Sequence, residues 1–294
     1  MLERRRQQGR DVTRTRHGRG TGGWVRSAVL LNVLLVGGGL VVLLPLWWMV
    51  VASLLPAGEA TRLPPRLWPW PATLEHYATL FARLDLWRVT LNSFAVAAAV
   101  TVVSVLLNSM AGYAFAHLPF AGRERLFRLL VAGLVIPGQV AMLPLFLLLK
   151  QLGLVNTYFG VIVPGMASIF GIFLVRQYAL SIPPTLLDAA RIDGAGEWRI
   201  YWSIVLPVCR PVLVTLAIFT FLGTWNDFLW PLIILTDDEL YTLPVALANL
   251  FGEHVQDTEL IMAGAVITIL PVVALFLALQ RYYIAGIVQG ALKG

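Results

Sequence analysis

The chain has 294 residues, of which 58% are hydrophobic and 13% charged, and its mean hydropathy is +0.77. These values lie outside the range of soluble globular domains and predict an integral membrane protein. The 22 Lys and Arg against 16 acids, a formal charge of +6, then serve to orient spans in a bilayer rather than to bind nucleic acid. Cys209 is the only cysteine, which excludes an intrachain disulfide; between Pro207 and Pro211 it reads as a packing residue.

Residues 1–27 are polar, Gly-rich and Arg-rich without apolar periodicity, which predicts a disordered basic tail held near the headgroups of membrane lipid. The apolar run from Ala28 is too long for a secretory signal and reads as a retained first span. A spanning helix needs about 20 mostly apolar residues, and six segments qualify: 28–51, 91–115, 127–149, 159–179, 209–235 and 260–282. Between the first two, Pro56–Arg88 contains PPRLWPWP and reads as an irregular external connection with Trp68 and Trp70 at the membrane interface.

Lys and Arg fall asymmetrically about these spans. Eight lie before residue 27, three in the second connection, four around the fourth and two in the tail, which puts 17 on one side against five on the other. The connection from Thr236 to Glu259 has acids and no basic residue. Both termini are therefore expected in the cytoplasm.

One cytoplasmic connection is unusually ordered in pattern: SIPPTLLDAARIDGAGEWRIYWSIVLPVCRP, Ser181–Pro211. Pro183 and Pro184 set a helix start, Asp193-Gly194 marks a turn in which glycine takes positive φ, and a second helix leads into the fifth span. Leu187, Ala190 and Arg191 share one face of the first helix, and the small side chains of Ala189 and Ala190 allow close approach. The pattern alone fits a hairpin inserted into a partner's groove or an amphipathic loop lying on the membrane.

The order Asp188-Ala189-Ala190, then Asp193-Gly194-Ala195, then Ile204, Leu206 and Pro207 resembles the EAA motif of ATP-binding-cassette importer permeases, with Asp188 in place of the usual glutamate. TWNDFLWPLIIL at 224–235, YTLPVALANL at 241–250 and QRYYIAGIVQGALKG at 280–294 resemble the carbohydrate branch of that family, in particular its maltose-type second permease. The resemblance implies an all-α polytopic membrane protein with six transmembrane helices, residues 28–294 forming the permease domain and residues 180–210 its coupling loop, whose cytoplasmic helix lies between helices 4 and 5. It implies Asp188, Ala189, Ala190, Arg191, Asp193, Gly194 and Ala195 as the ATPase-coupling residues. It further implies a prokaryotic cytoplasmic membrane, a second homologous permease, two ATPase subunits that use ATP and Mg, and an extracytoplasmic solute-binding protein. The substrate class is a sugar, with a polyol derivative such as glycerol phosphate as the close alternative. The glycine-containing tail is expected to enter a crevice between cytoplasmic subunits.

No catalytic or metal site is expected in the chain itself. A phosphate-cradling loop needs Gly-Lys followed by Ser or Thr, and the only lysines, Lys150 and Lys293, both follow leucine. His17, His76, His117 and His254 are scattered, without metal-ligand spacing. Intramembrane polar residues are instead the candidates for a substrate pathway: Asn108, Gln139, Asn226 and Asp227, with Trp225 and Trp230 beside the last pair as apolar faces for sugar rings. Asn108 and Gln139 read equally as bridges between helices. An ion-gradient carrier or channel is the competing class, but it needs several charged residues along the spans and leaves the charged hairpin without a role.

Overall fold

The computed structural model describes the backbone of residues 21–253 and 257–291 and the side chains of residues 29–252 and 257–278. Among the described residues all regular structure is helical, as expected where lipid cannot satisfy open backbone groups. The order is α1 (Thr21–Ser53), α2 (Glu75–Arg83), α3 (Leu86–His117), α4 (Arg123–Ala132), α5 (Met142–Gln151), α6 (Tyr158–Gly165), α7 (Ile169–Ala179), α8 (Pro184–Ile192), α9 (Glu197–Ile200), α10 (Leu206–Trp225), α11 (Leu229–Ile234), α12 (Leu243–Glu253) and α13 (Thr258–Ala291). Among the described residues five stretches are long and apolar enough to cross a membrane, or six if Arg123–Val135 and Gly138–Gln151 are taken together as one span.

That sixth stretch departs from the straight helix expected over 127–149, because its two halves meet at 96°. Pro137 disfavours a helical conformation for the residue before it, and Ile136 is extended (φ −82, ψ 117). The span at 159–179 is likewise interrupted between α6 and α7. The fifth starts earlier than residue 209, running from α9 through a π-helical turn (Tyr201–Val205) into α10. It stops at Trp225, ten residues before its expected end. Two helices went unforeseen in the connections: α2, with His76 and Leu80 buried, and α12, with Leu243, Val245, Ala246, Leu247 and Leu250 buried.

α1 already begins at Thr21, so residues 21–27 are helical where a disordered tail was expected; residues 1–20 lie outside the described residues. At the other end the backbone remains helical to Ala291, not the thin non-helical segment expected there, and residues 292–294 lie outside the described residues.

α3 is the central rod, packed against α7 and α10. A Cβ at Gly112 would stand 2.7 Å from Val175 Cγ1 and 3.0 Å from Arg176 N, so only glycine lets α3 and α7 approach this closely. Leu80, Leu86, Val89, Ala97, Trp225 and Leu260 belong to one core cluster towards one end of the bundle. Tyr113, Ala179, Ile182, Leu187, Ile200 and Cys209 belong to another at the opposite end. Helix α1 stands apart and packs mainly on α13; its apolar side chains from Val29 to Leu46 are exposed, as suits lipid or a partner subunit. Near its end Trp47 lies 5.7 Å from Trp68 and donates a 3.2 Å hydrogen bond to Leu67 O.

Candidate coupling hairpin and pathway residues

Helix α8 begins with Pro184 in its first turn, where a missing N–H leaves no bond unmade. It ends in two backbone hydrogen bonds, Gly194 N to Arg191 O (3.0 Å) and Ala195 N to Ala190 O (2.9 Å). This is the Schellman arrangement, with Gly194 at φ +79 in the left-handed position. The turn read from Asp193-Gly194 is therefore present, and its glycine is required by conformation, since a Cβ there would meet no atom within 4 Å.

Arg191 stiffens the hairpin. Its guanidinium lies 2.8 Å from both Asp188 Oδ1 and Glu197 Oε1, and the Glu197 hydrogen bond, reinforced by Asp188, raises its pKa above the ordinary arginine value. The other oxygen of Glu197 accepts from the Tyr113 hydroxyl of α3. Beside this contact Ser109 and Tyr201 hydroxyls are 2.7 Å apart and buried.

The face of α8 expected to meet a partner is not free. Leu187 is fully buried, and Ala190 and Ala195 pack on the same cluster beneath it. The face of Leu187 and Ala190 is thus turned to the chain's own core and is not free to enter a groove. The free face of α8 carries Leu186, Ala189 and Ile192, spaced by three, with Ile192 86% exposed. Asp188 and Asp193 are exposed beside it.

The pathway candidates separate. Asn108 is fully buried: its Nδ2 donates to Ser104 Oγ (2.7 Å) and its Oδ1 accepts from Ser168 N (3.0 Å) where α6 gives way to α7. This geometry is that of a bridge between helices. Gln139 is exposed at the bend between α4 and α5. Trp225 and Trp230 depart from the expectation of open aromatic faces. Both indoles are buried, with Nε1 bonded to Thr268 O (3.2 Å) and Gly160 O (3.1 Å) respectively, because a buried indole needs an acceptor and finds one on a neighbouring helix. Asp227 Oδ1 accepts from Trp230 N (3.4 Å) at the start of α11. Asn226 is exposed, donating to Leu222 O (2.8 Å). It borders a hollow of about 620 Å³ between α1, α12 and α13, whose lining includes Phe228, Phe251 and Thr268 and, among the described residues, carries no charged side chain.

Residues 104–289 match the family described as binding-protein-dependent transport system inner membrane component. The chain belongs to this family of transport permeases. The permease is 42% identical over 253 residues to the arabinooligosaccharides transport system permease protein AraQ of Halalkalibacterium halodurans, covering 85% of this chain and 91% of the relative. It is 32% identical over 249 residues to the lactose transport system permease protein LacG of Rhizobium radiobacter, covering 85% and 90%. Its fold matches a chain of a bacterial ABC transporter involved in import of the acidic polysaccharide alginate, with a TM-score of 0.76 and 23% identity over 90% of this chain and 99% of that one. The resemblance read from Asp188–Pro207 and the all-α polytopic architecture are thus correct at the level of family and fold. Tyr113 and Ser109 went unnoticed in the permease sequence because nothing local to α3 marks them; their partners Glu197 and Tyr201 are 84 and 92 residues away.

Proposed function

We propose that this chain is one of two membrane subunits of an ATP-driven importer for a mono- or oligosaccharide. In this reading it forms half of the pathway in a prokaryotic cytoplasmic membrane, with both termini in the cytoplasm. An extracytoplasmic binding protein delivers the substrate. ATP and Mg are bound and used by two separate ATPase subunits, one of which receives the hairpin Ser181–Pro211. The names of the relatives, arabinooligosaccharide and lactose permeases, support a saccharide. The described lining of the hollow beside Asn226, which holds no Arg or Lys, favours a neutral sugar over a phosphorylated polyol, since a phosphate calls for Arg or Lys.

The observation that carries the coupling role is the free face of α8. A helix started by Pro184, closed at its C-terminus by the Gly194 turn, tied at Arg191 and presenting an almost fully exposed isoleucine at its tip has the form of a knob awaiting a hydrophobic groove. Ala189→Arg puts a long charged side chain in the middle of that face without touching the core. Co-purification of the assembled importer should then lose its ATPase subunits while the permease remains in the membrane. Retention of the ATPase at wild-type stoichiometry would remove the hairpin from the interface.

A further inference from the structure

Backwards along the chain the hairpin leads into α7, which is interrupted before α6; two other routes to the far end of the bundle remain. One is covalent, through α9 and α10. That route is compliant: it contains the π-helical turn Tyr201–Val205, Pro207 and Pro211, and it breaks at Asn226 before α11. Pro and π-turns are the usual places where helices bend. The other route is α3, a single helix of 32 residues without proline, about 48 Å long at 1.5 Å per residue.

Helix α3 is bonded at both ends to the parts that would move. At the hairpin end Tyr113 donates to Glu197, whose other oxygen holds Arg191, and Ser109 meets Tyr201. Ser109 and Tyr113 are four residues apart and so lie on one face. At the opposite end, about 30 Å away, Ser93 Oγ accepts from Leu243 N (2.7 Å). Asn92 Nδ2 donates to Glu239 O (2.9 Å) and Tyr241 O (3.1 Å). Val96 and Val100 of the same helix pack in one cluster with Trp230 and Ile234 of α11.

We infer that α3 is the lever of this permease: Tyr113 and Ser109 are positioning residues that tie the hairpin to it, so that displacement of the hairpin is delivered to the segment from Asn226 to Leu243 through α3 rather than through α10. This rests on the coupling role proposed for the hairpin and names the residues through which that role acts. The free face of α8 makes no use of the Tyr113 hydroxyl, so docking and transmission are separable.

The test uses the complete importer in proteoliposomes, in a Cys209→Ser background with a single cysteine at position 226. The readout is the rate of labelling by a membrane-impermeant maleimide from the external side, without nucleotide and after trapping with ATP, Mg and vanadate. Trapping should change that rate by about tenfold in the otherwise unaltered chain, within the usual range for coupled sites. Tyr113→Phe keeps the ring and removes one hydroxyl. It should keep the ATPase subunits bound and their hydrolysis running, while the trapping effect falls below about twofold; Ser109→Ala should act in the same direction. The double variant should be little worse than either single one, because both interrupt one connection. A full trapping effect in both single variants with the ATPase bound would overturn the lever. So would loss of the ATPase from Tyr113→Phe, which would make the tyrosine a support of the hairpin's fold alone. Ala189→Arg, run alongside, distinguishes this from failure of the coupling role: if that variant keeps its ATPase, the hairpin does not dock and the fault lies there.

Discussion

Asn108→Leu tests whether the buried amide belongs to the pathway or to the fold. The substitution keeps the approximate size and removes two hydrogen bonds. Ser168 N, at the start of α7, loses the oxygen 3.0 Å away, and Ser104 Oγ loses the donor 2.7 Å away. The serine hydroxyl recovers a partner by turning to the backbone carbonyl four residues earlier, but the Ser168 amide has no such rotation available. One backbone donor stranded out of water costs about 1–3 kcal/mol. A leucine branch must also fit against Gly171, where the present amide already sits so close that a Cβ would be 2.7 Å from Asn108 Nδ2. A loss of about 2 kcal/mol corresponds to a drop of about 4–8 °C in the midpoint of thermal unfolding for a chain near this size. The assay is unfolding of the detergent-solubilised permease followed by tryptophan fluorescence, with sugar uptake normalised to intact complex. The expected result is a lowered midpoint with unchanged half-saturation for sugar. An unchanged midpoint with a raised half-saturation would mean that the amide contacts substrate, and the bridging argument would be wrong.

Two further outcomes are expected. Gly194→Ala places a side chain at φ +79, which costs about 1–2 kcal/mol with no steric contact to add to it; hydrogen exchange at the hairpin amides should quicken several-fold and ATPase recovery should fall, and wild-type protection would show that the turn tolerates a side chain. Single cysteines at Asp238 and Asp193, both exposed, in the Cys209→Ser background should be labelled from outside intact cells at 238 and not at 193; the reverse pattern would invert the orientation drawn from 17 basic residues against five.

The spans and the hairpin were legible because each leaves a strong local trace. A window of about 20 apolar residues survives a misplaced boundary, and Asp193-Gly194 announces a left-handed turn whatever surrounds it. The interruptions were not legible in the same way. Hydropathy averages over Pro137-Gly138, over Met166–Ser168 and over Asn226–Phe228, since a break of three residues barely lowers the mean of a window several times longer. The direction of side chains was harder still. Trp225 and Trp230 sit beside Asn226 and Asp227 in sequence, which suggested open faces, yet their indoles are drawn into the core by acceptors on Thr268 and Gly160, 43 and 70 residues away. The α8 face failed for a related reason. Leu187, Ala190 and Arg191 do share a side, but whether that side meets a partner or the chain's own core depends on Ile182, Tyr201 and Tyr113, which no helical spacing connects.

Two of the polar residues that looked functional inside the spans, Asn108 and Asp227, attend to the breaks. Every interruption of a helix frees backbone groups, and hydrocarbon offers them nothing. At the start of α6, Thr157 Oγ1 accepts from Gly160 N and donates to Leu154 O. At the start of α7, Ser168 Oγ accepts from Gly171 N while Asn108 takes the Ser168 amide. At the start of α11, Asp227 accepts from Trp230 N, and past its end Asn156 Oδ1 takes the amides of Thr236 and Asp237 at 3.0 Å each. Once engaged in this way, these groups have little left for a passing solute. Among the pathway candidates, Asn226 keeps its amide oxygen outside the hydrogen bond to Leu222 and stands beside an uncharged hollow with Phe228 and Phe251. A sugar needs many hydrogen bonds for its hydroxyls, so in the proposed reading a half-pathway of this character would supply ring contacts and a few polar atoms. On the same proposal the larger share of hydroxyl recognition would fall to the partner permease and the binding protein. The breaks themselves are therefore the main use this chain makes of polarity in the membrane: they let short helices re-aim, and the uninterrupted α3 holds them together.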